Sequence, residues 1–179
     1  RIMADYEKAY KIMLKHEGGY VNDPDDRGGE TYKGVARKFN SKWEGWSRID
    51  EHKSAPDFPK SLDSDQTLEN MIKGFYESLY WDKIKGDEIQ SQLVAESMFD
   101  YGVNAGPSTC SRLVQKLLEV KVDGAIGPKT LEALNGMDED HFLASFSLMK
   151  IVRYVQLVEK YPKNRKFFFG WVKRTLGGA

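Results

Sequence analysis

Residues Lys15 to Val35 constrain this chain more than any other stretch. An amphipathic run carries Tyr6, Tyr10, Met13 and Leu14 at helical spacing, with Asp5 as a plausible N-cap. It reaches Glu17 and then meets Gly18-Gly19, which supply the left-handed or extended backbone that ends a helix. Three acids, Asp23, Asp25 and Asp26, follow around Pro24, and Gly28-Gly29 lets the chain reverse. No core-building segment needs that mixture. The stretch reads as an edge that carries chemistry.

Glu17 falls at the carboxyl end of its helix, where the macrodipole is negative and a carboxylate is disfavoured. That place, together with burial, raises a carboxyl pKa and keeps the proton on near neutrality, as a general acid requires. The competing reading is a solvated glutamate in a frayed last turn. His16 reads as compensation for the helix dipole. A reversal at Gly28-Gly29 brings one aspartate back to face Glu17, and two carboxylates flanking a bond are the equipment of glycoside hydrolysis. The alternative is that the acids only make Asx-turns and caps. No EF-hand pattern of ligands is present.

The rest of the chain reads as helical. A short alternation from Thr31 to Lys38 predicts a small hairpin, the only β-structure expected. Trp43, Trp46 and the Pro56–Pro59 region read as a loop that lines a groove or covers the core. Helices are expected from Ser64 or Asp65 to Tyr80-Trp81, from Ser91 to Tyr101 with a stop at Gly102, and after Pro107 with Cys110 facing inward. Others follow Pro128, span Asp138 to Tyr161 with Phe142, Phe146, Met149, Val152 and Val155 on the core face, and carry Phe167, Phe168, Trp171 and Val172. The Gly177-Gly178-Ala179 tail is expected to be loose. The fold class is mainly α with a small β element near the acids, in two packed halves, 1–90 and 91–179.

Lys+Arg and Asp+Glu both number 27, so the net charge is zero, which argues against a generic nucleic-acid binder and against polybasic membrane attachment. The single cysteine rules out an intrachain disulfide, and His52 and His141 stand alone, so no metal site and no cofactor are expected. Arg1 to Asp5 lacks the apolar segment of a signal peptide, so the chain reads as synthesised in the cytoplasm.

His16-Glu17-Gly18-Gly19-Tyr20, followed by Asp26-x-Gly28-Gly29-x-Thr31-x-x-Gly34-Val35, resembles the opening motif of glycoside hydrolase family 108, lysozyme-like muramidases of phage and prophage lysis cassettes. Phe99 to Pro107 and Val122 to Leu134 resemble the peptidoglycan-binding region that accompanies that domain, and Gly170-Trp171-Val172-x-Arg174 resembles its final helix. The resemblance implies a lysozyme-like helical domain in which Glu17 is the catalytic acid. Asp26 is then the second carboxylate, because the Glu-to-Asp offset of nine is similar to that of phage lysozymes. Those lysozymes place a threonine six positions after the aspartate; Thr31 is five after Asp26 and six after Asp25. Thr31 is implied to hold a water or stabilise the sugar cation.

The implied substrate is the glycan strand of bacterial peptidoglycan, cut between N-acetylmuramic acid and N-acetylglucosamine by a monomer acting at the cell wall. Tyr20, Tyr32, Tyr101 and Asn104 are candidate sugar contacts. Two other functions stay open: a noncatalytic wall-binding or secretion-associated module, and a lytic transglycosylase or chitinase-type enzyme on the same scaffold.

Overall fold

The computed structural model describes residues 2–177, and the Gly178-Ala179 end of the tail lies outside the described residues. The architecture is mainly α: among the described residues there are eight α-helices and one small three-stranded sheet. Helix α1 (Tyr6–Leu14) starts where Asp5 accepts a hydrogen bond from the Glu7 amide at 2.8 Å. It leads into an antiparallel sheet of β1 (Tyr20–Asn22), β2 (Glu30–Tyr32) and β3 (Val35–Ala36), in that order. The register pairs Tyr20 with Tyr32, Val21 with Thr31 and Asn22 with Glu30, then Thr31 with Ala36 and Tyr32 with Val35. The β2–β3 connection is two residues, Lys33 (φ 44°) and Gly34 (φ 84°). Positive φ at both central positions is the hairpin turn whose twist matches that of its strands.

Three expectations need correction. First, the loop expected around Trp46 contains α2 (Gly45–His52). Trp46 and Ile49, one turn apart, are buried there, and the Trp46 indole donates to the Asn40 carbonyl at 2.8 Å. Two apolar positions in eight polar-rich residues leave too faint a stripe for periodicity to register. Second, β1 adds a strand to the expected hairpin. Third, α4 (Gln92–Ala105) runs through Gly102 and stops at Gly106 (φ 96°), where Pro107 opens α5 (Pro107–Leu117). The residue that needs a left-handed backbone ends the helix, and a glycine inside it only weakens it.

Helix α3 (Gln66–Tyr76) continues as a wider π turn, Glu77–Trp81, so the helical path reaches Trp81 as expected. Asp65 caps α3 through the Leu68 amide at 3.0 Å and also holds Arg48 (2.6 Å) and His52 (2.7 Å), binding α2 to α3. Burial works against its charge, but these donors outweigh it and hold its carboxyl below the usual range. A depressed folded pKa stabilises above the unfolded value and is lost as pH falls through the folded one. Asp65→Ala is therefore expected to cost about 1–2 kcal/mol at neutral pH. The deficit should fade as pH falls below the ordinary aspartate value of 3.8, which urea unfolding at several pH values would measure.

Helices α6 (Pro128–Gly136), α7 (Glu139–Lys160) and α8 (Arg165–Thr175) complete the chain. One apolar cluster runs through the molecule, centred on α4, whose Met98 and Phe99 are wholly buried. Phe99 and Tyr6 pack on Trp81 with ring centroids 5.6 and 5.4 Å away. The expected core face of α7 is rotated at its carboxyl half. Val152 and Val155 are exposed, while Lys150 and Tyr154 are buried. Lys150 lays its stem inward and puts its ammonium 4.4 Å from the Phe146 ring centre, a substitute for hydration. Among the described residues no helix is long and apolar enough to cross a membrane.

Candidate active site

Helix α1 gives way after Leu14 to tighter turns, in which the amides of Lys15, His16 and Glu17 donate to the carbonyls of Ile12, Met13 and Leu14. Glu17 thus lies three residues past the helix proper, at its negative end, before Gly18. Its side chain is 18% exposed. The carboxyl faces the hairpin turn at Gly34, the Tyr76 hydroxyl and the guanidinium of Arg174, whose Nη2 is 3.8 Å from Oε1. The turn itself is pinned from two sides. The Lys33 amide donates to the Gly19 carbonyl at 3.1 Å, and the Tyr76 hydroxyl donates to the Lys33 carbonyl at 2.6 Å.

Burial raises the Glu17 pKa. Arg174 works in the opposite direction, Asp100 adds to the rise, and His16 lowers it slightly. The outcome is a carboxyl that keeps its proton to higher pH than a free glutamate, the condition for a general acid. Arg174 stays where it is because Asp100 on α4 grips it twice, Nε to Oδ2 at 3.1 Å and Nη2 to Oδ1 at 2.8 Å. That fork engages the guanidinium, so only part of its charge is available to Glu17.

Arg174 and Asp100 both occurred in recognisable motifs, yet their role lay outside sequence reasoning. Nothing in the spacing announces a pair 74 residues apart. Arg174→Gln removes the cation and leaves Asp100 unpaired, and both changes push the Glu17 pKa further up. The expected result is an alkaline limb of the pH–rate profile displaced to higher pH, with Arg174→Lys restoring much of the original profile. An unmoved limb would assign Arg174 to packing alone.

The other sequence candidates take different positions. Asp23, Asp25 and Asp26 lie exposed in the loop joining β1 to β2, at the opposite end of the hairpin from the Tyr20–Tyr32 pair beside Glu17. Asp23 accepts from the Asp25 amide at 2.9 Å and Asp26 from the Gly28 amide at 3.3 Å, so both also make Asx-type turns. Thr31 is half-buried in the middle of β2, between Val21 and Ala36. Tyr20 donates to Glu30 at 3.0 Å and meets Phe58 edge-on at 4.8 Å.

Tyr32 and Tyr101 are 2% and 1% exposed, and neither presents a ring face to solvent. Tyr32 stacks on Trp43, and Tyr101 packs against Phe146. Asn104 is exposed on the last turn of α4, one turn beyond Asp100 and thus on the side that holds Arg174. Glu17 is therefore brought together with Tyr76, Tyr80, Asp100 and Arg174 rather than with the aspartate cluster.

A hollow of about 690 Å³ is lined by Phe39, Trp43, Met71, Phe75 and Leu79 among others, and none of the residues around Glu17 is in its wall. Phe75 packs against both Tyr76 and Tyr80, with centroids 5.4 and 6.2 Å apart. Burial and the nearby Glu17 charge both raise the Tyr80 pKa, so Tyr80 sits within the field of the acid. Packed rings thus connect the wall of the hollow, through Phe75, to Tyr76 and Tyr80 next to Glu17.

Residues 10–106 match the family Glycosyl hydrolase 108, and residues 109–176 match the family Predicted Peptidoglycan domain. No curated protein matches the chain. Among solved structures the chain is similar to SagA of Brucella abortus, with a TM-score of 0.69 and 26% identity, covering 95% of this chain and 88% of that one. The first match spans more than half of the chain and takes in Glu17, the hairpin and Asp100. The second contributes the helix that brings Arg174 to Glu17, and on these grounds the protein belongs to the glycosyl hydrolase 108 family.

Proposed function

We propose that this glycosidase is an N-acetylmuramidase, a lysozyme that hydrolyses the β-1,4 bond between N-acetylmuramic acid and N-acetylglucosamine in peptidoglycan. One observation carries the reading: the Glu17 carboxyl, largely buried and with a raised pKa, is held between Gly34, Tyr76 and Arg174. Glu17 gives its proton to the glycosidic oxygen as the C1–O bond breaks. The positive charge that develops at C1 is stabilised by a carboxylate, and water then completes a reducing N-acetylmuramic acid end. Asp26 or its neighbour Asp25 supplies the carboxylate, which requires the β1–β2 loop to fold over the bound strand. Thr31 holds the water, and Tyr20 and Asn104 contact sugar. The enzyme acts at the bacterial wall.

A second reading is favoured by the exposure of those aspartates. If Glu17 works alone, it first protonates the leaving oxygen and then takes a proton from the muramic 6-hydroxyl, as a lytic transglycosylase does. Mass spectrometry of digested sacculi separates the two. Reducing ends support the hydrolase, and 1,6-anhydro ends support the transglycosylase.

A further inference from the structure

Helices α5 and α7 leave a groove of about 460 Å³ between them, away from Glu17 and within the size range of small-ligand clefts, about 300–1,000 Å³. Its floor is apolar: Leu113, Met149 and Val152. Three cations rise around that floor, Arg112 and Lys116 from α5 and Arg153 from α7, and no lining residue is acidic. Among the described residues none of the three forms an ion pair with a carboxylate. Arg112 has only a long bond, 3.4 Å, to the Asp123 carbonyl. In a chain with as many acids as bases, such a gathering is local segregation rather than bulk composition.

A second observation concerns Arg153. The hydroxyl of Tyr101 is the one buried side-chain polar atom without a hydrogen-bond partner among the described residues. Burial pushes this phenol up to about 12, and Arg153 is the first group that pulls the other way. Arg153, which lines the groove, thus also acts on this buried hydroxyl.

We propose that this groove binds the acidic peptide stem attached to the glycan strand, Arg112, Lys116 and Arg153 pairing with its carboxylates while the apolar floor takes its alanine methyls. The inference rests on the peptidoglycan reading above and adds a subsite to it. The charge discriminates between the two parts of the substrate. Glycan sugars bear hydroxyls and acetamido groups, with the lactyl carboxyl tied up in an amide, whereas the stem has free carboxylates. A cationic groove complements the stem. It also lies in the segment that matches the Predicted Peptidoglycan domain.

The test is a titration of the full-length protein with the synthetic peptide N-acetyl-L-Ala-γ-D-Glu-L-Lys-D-Ala, followed by amide NMR. Expected are shifts confined to α5 and α7 and an affinity that drops about tenfold in Arg153→Glu and in Lys116→Glu, as loss of one charge-assisted contact implies. The Lys116 side chain is exposed on the surface, so that variant keeps the test valid even if Arg153→Glu destabilises the fold. The same peptide with its carboxylates amidated should not bind. The inference is overturned by shifts located elsewhere, by equal binding of the amidated peptide, by indifference to both variants, or by a preference for polyglycerol phosphate. The outcome is independent of catalysis. A Glu17→Gln protein that still cleaves sacculi defeats the hydrolase reading and leaves the peptide result standing.

Discussion

Glu17→Gln is expected to slow cleavage of purified sacculi about 10²–10⁴-fold, the usual contribution of a positioned general acid. Glutamine preserves the shape and much of the polarity of the side chain, so wall binding should persist while the proton source is gone. Stability should move in the opposite direction. The folded pKa of Glu17 is raised, so the native state holds its proton more tightly than the unfolded chain does. Stability then falls as pH rises from the ordinary glutamate value of 4.5 through the folded value, so the carboxyl burdens the fold at pH 7. Removing it should leave the melting temperature at pH 7 equal or higher, with the difference shrinking in acid. A variant that is both inactive and less stable at pH 7 would point to Glu17 as a structural residue. One as active as the parent would remove it from the chemistry altogether.

Gly34→Ala should nearly abolish activity from a position that has no functional group. A Cβ there would lie 2.7 Å from the Tyr76 hydroxyl and 2.8 Å from Glu17 Cδ, closer than real contacts allow. The residue also has φ 84°, a left-handed conformation that costs an alanine about 1–2 kcal/mol. Neither neighbour can easily give way. Tyr76 is buried and bonded to the Lys33 carbonyl, and Glu17 sits in a pocket that Arg174 closes. The carboxyl must shift, and a misplacement of about 1 Å in a catalytic group can cost about 10²-fold. A fall of that order in kcat, together with a lower melting temperature, is the expected result. Retention of parental kcat would mean that the hairpin turn does not position Glu17. The same substitution at Gly19, where an added Cβ meets nothing within 4 Å, is the control.

Much of the helical framework was legible because its signals are local. Asp5, Asp65, Ser91 and Asp138 each accept from a backbone amide in the first turn of the helix they precede, and Pro107 and Pro128 open α5 and α6. These are short-range effects of sterics and hydrogen bonding, so a few residues suffice to read them. Helix α2 escaped because its stability comes from docking Trp46 and Ile49 into the core and from the Asp65 bridge to Arg48 and His52. The rotation of α7 escaped for the same reason. Lys150 is buried because Phe146, Tyr101 and Ser97 receive its ammonium, and its own position on the helix says nothing of them.

What the sequence determined by itself was a helical chain with a glutamate stranded at a helix end ahead of a glycine-flanked hairpin, and the family to which that pattern belongs. Only the tertiary structure decided how that glutamate is held. Burial of its carboxyl, the roof provided by Gly34 and Tyr76, and the Arg174–Asp100 fork each depend on segments 17 to 157 residues away along the chain. A pKa is set by every charge and every patch of lost water within a few ångströms. Proximity of that kind is created by folding, and residue spacing does not encode it.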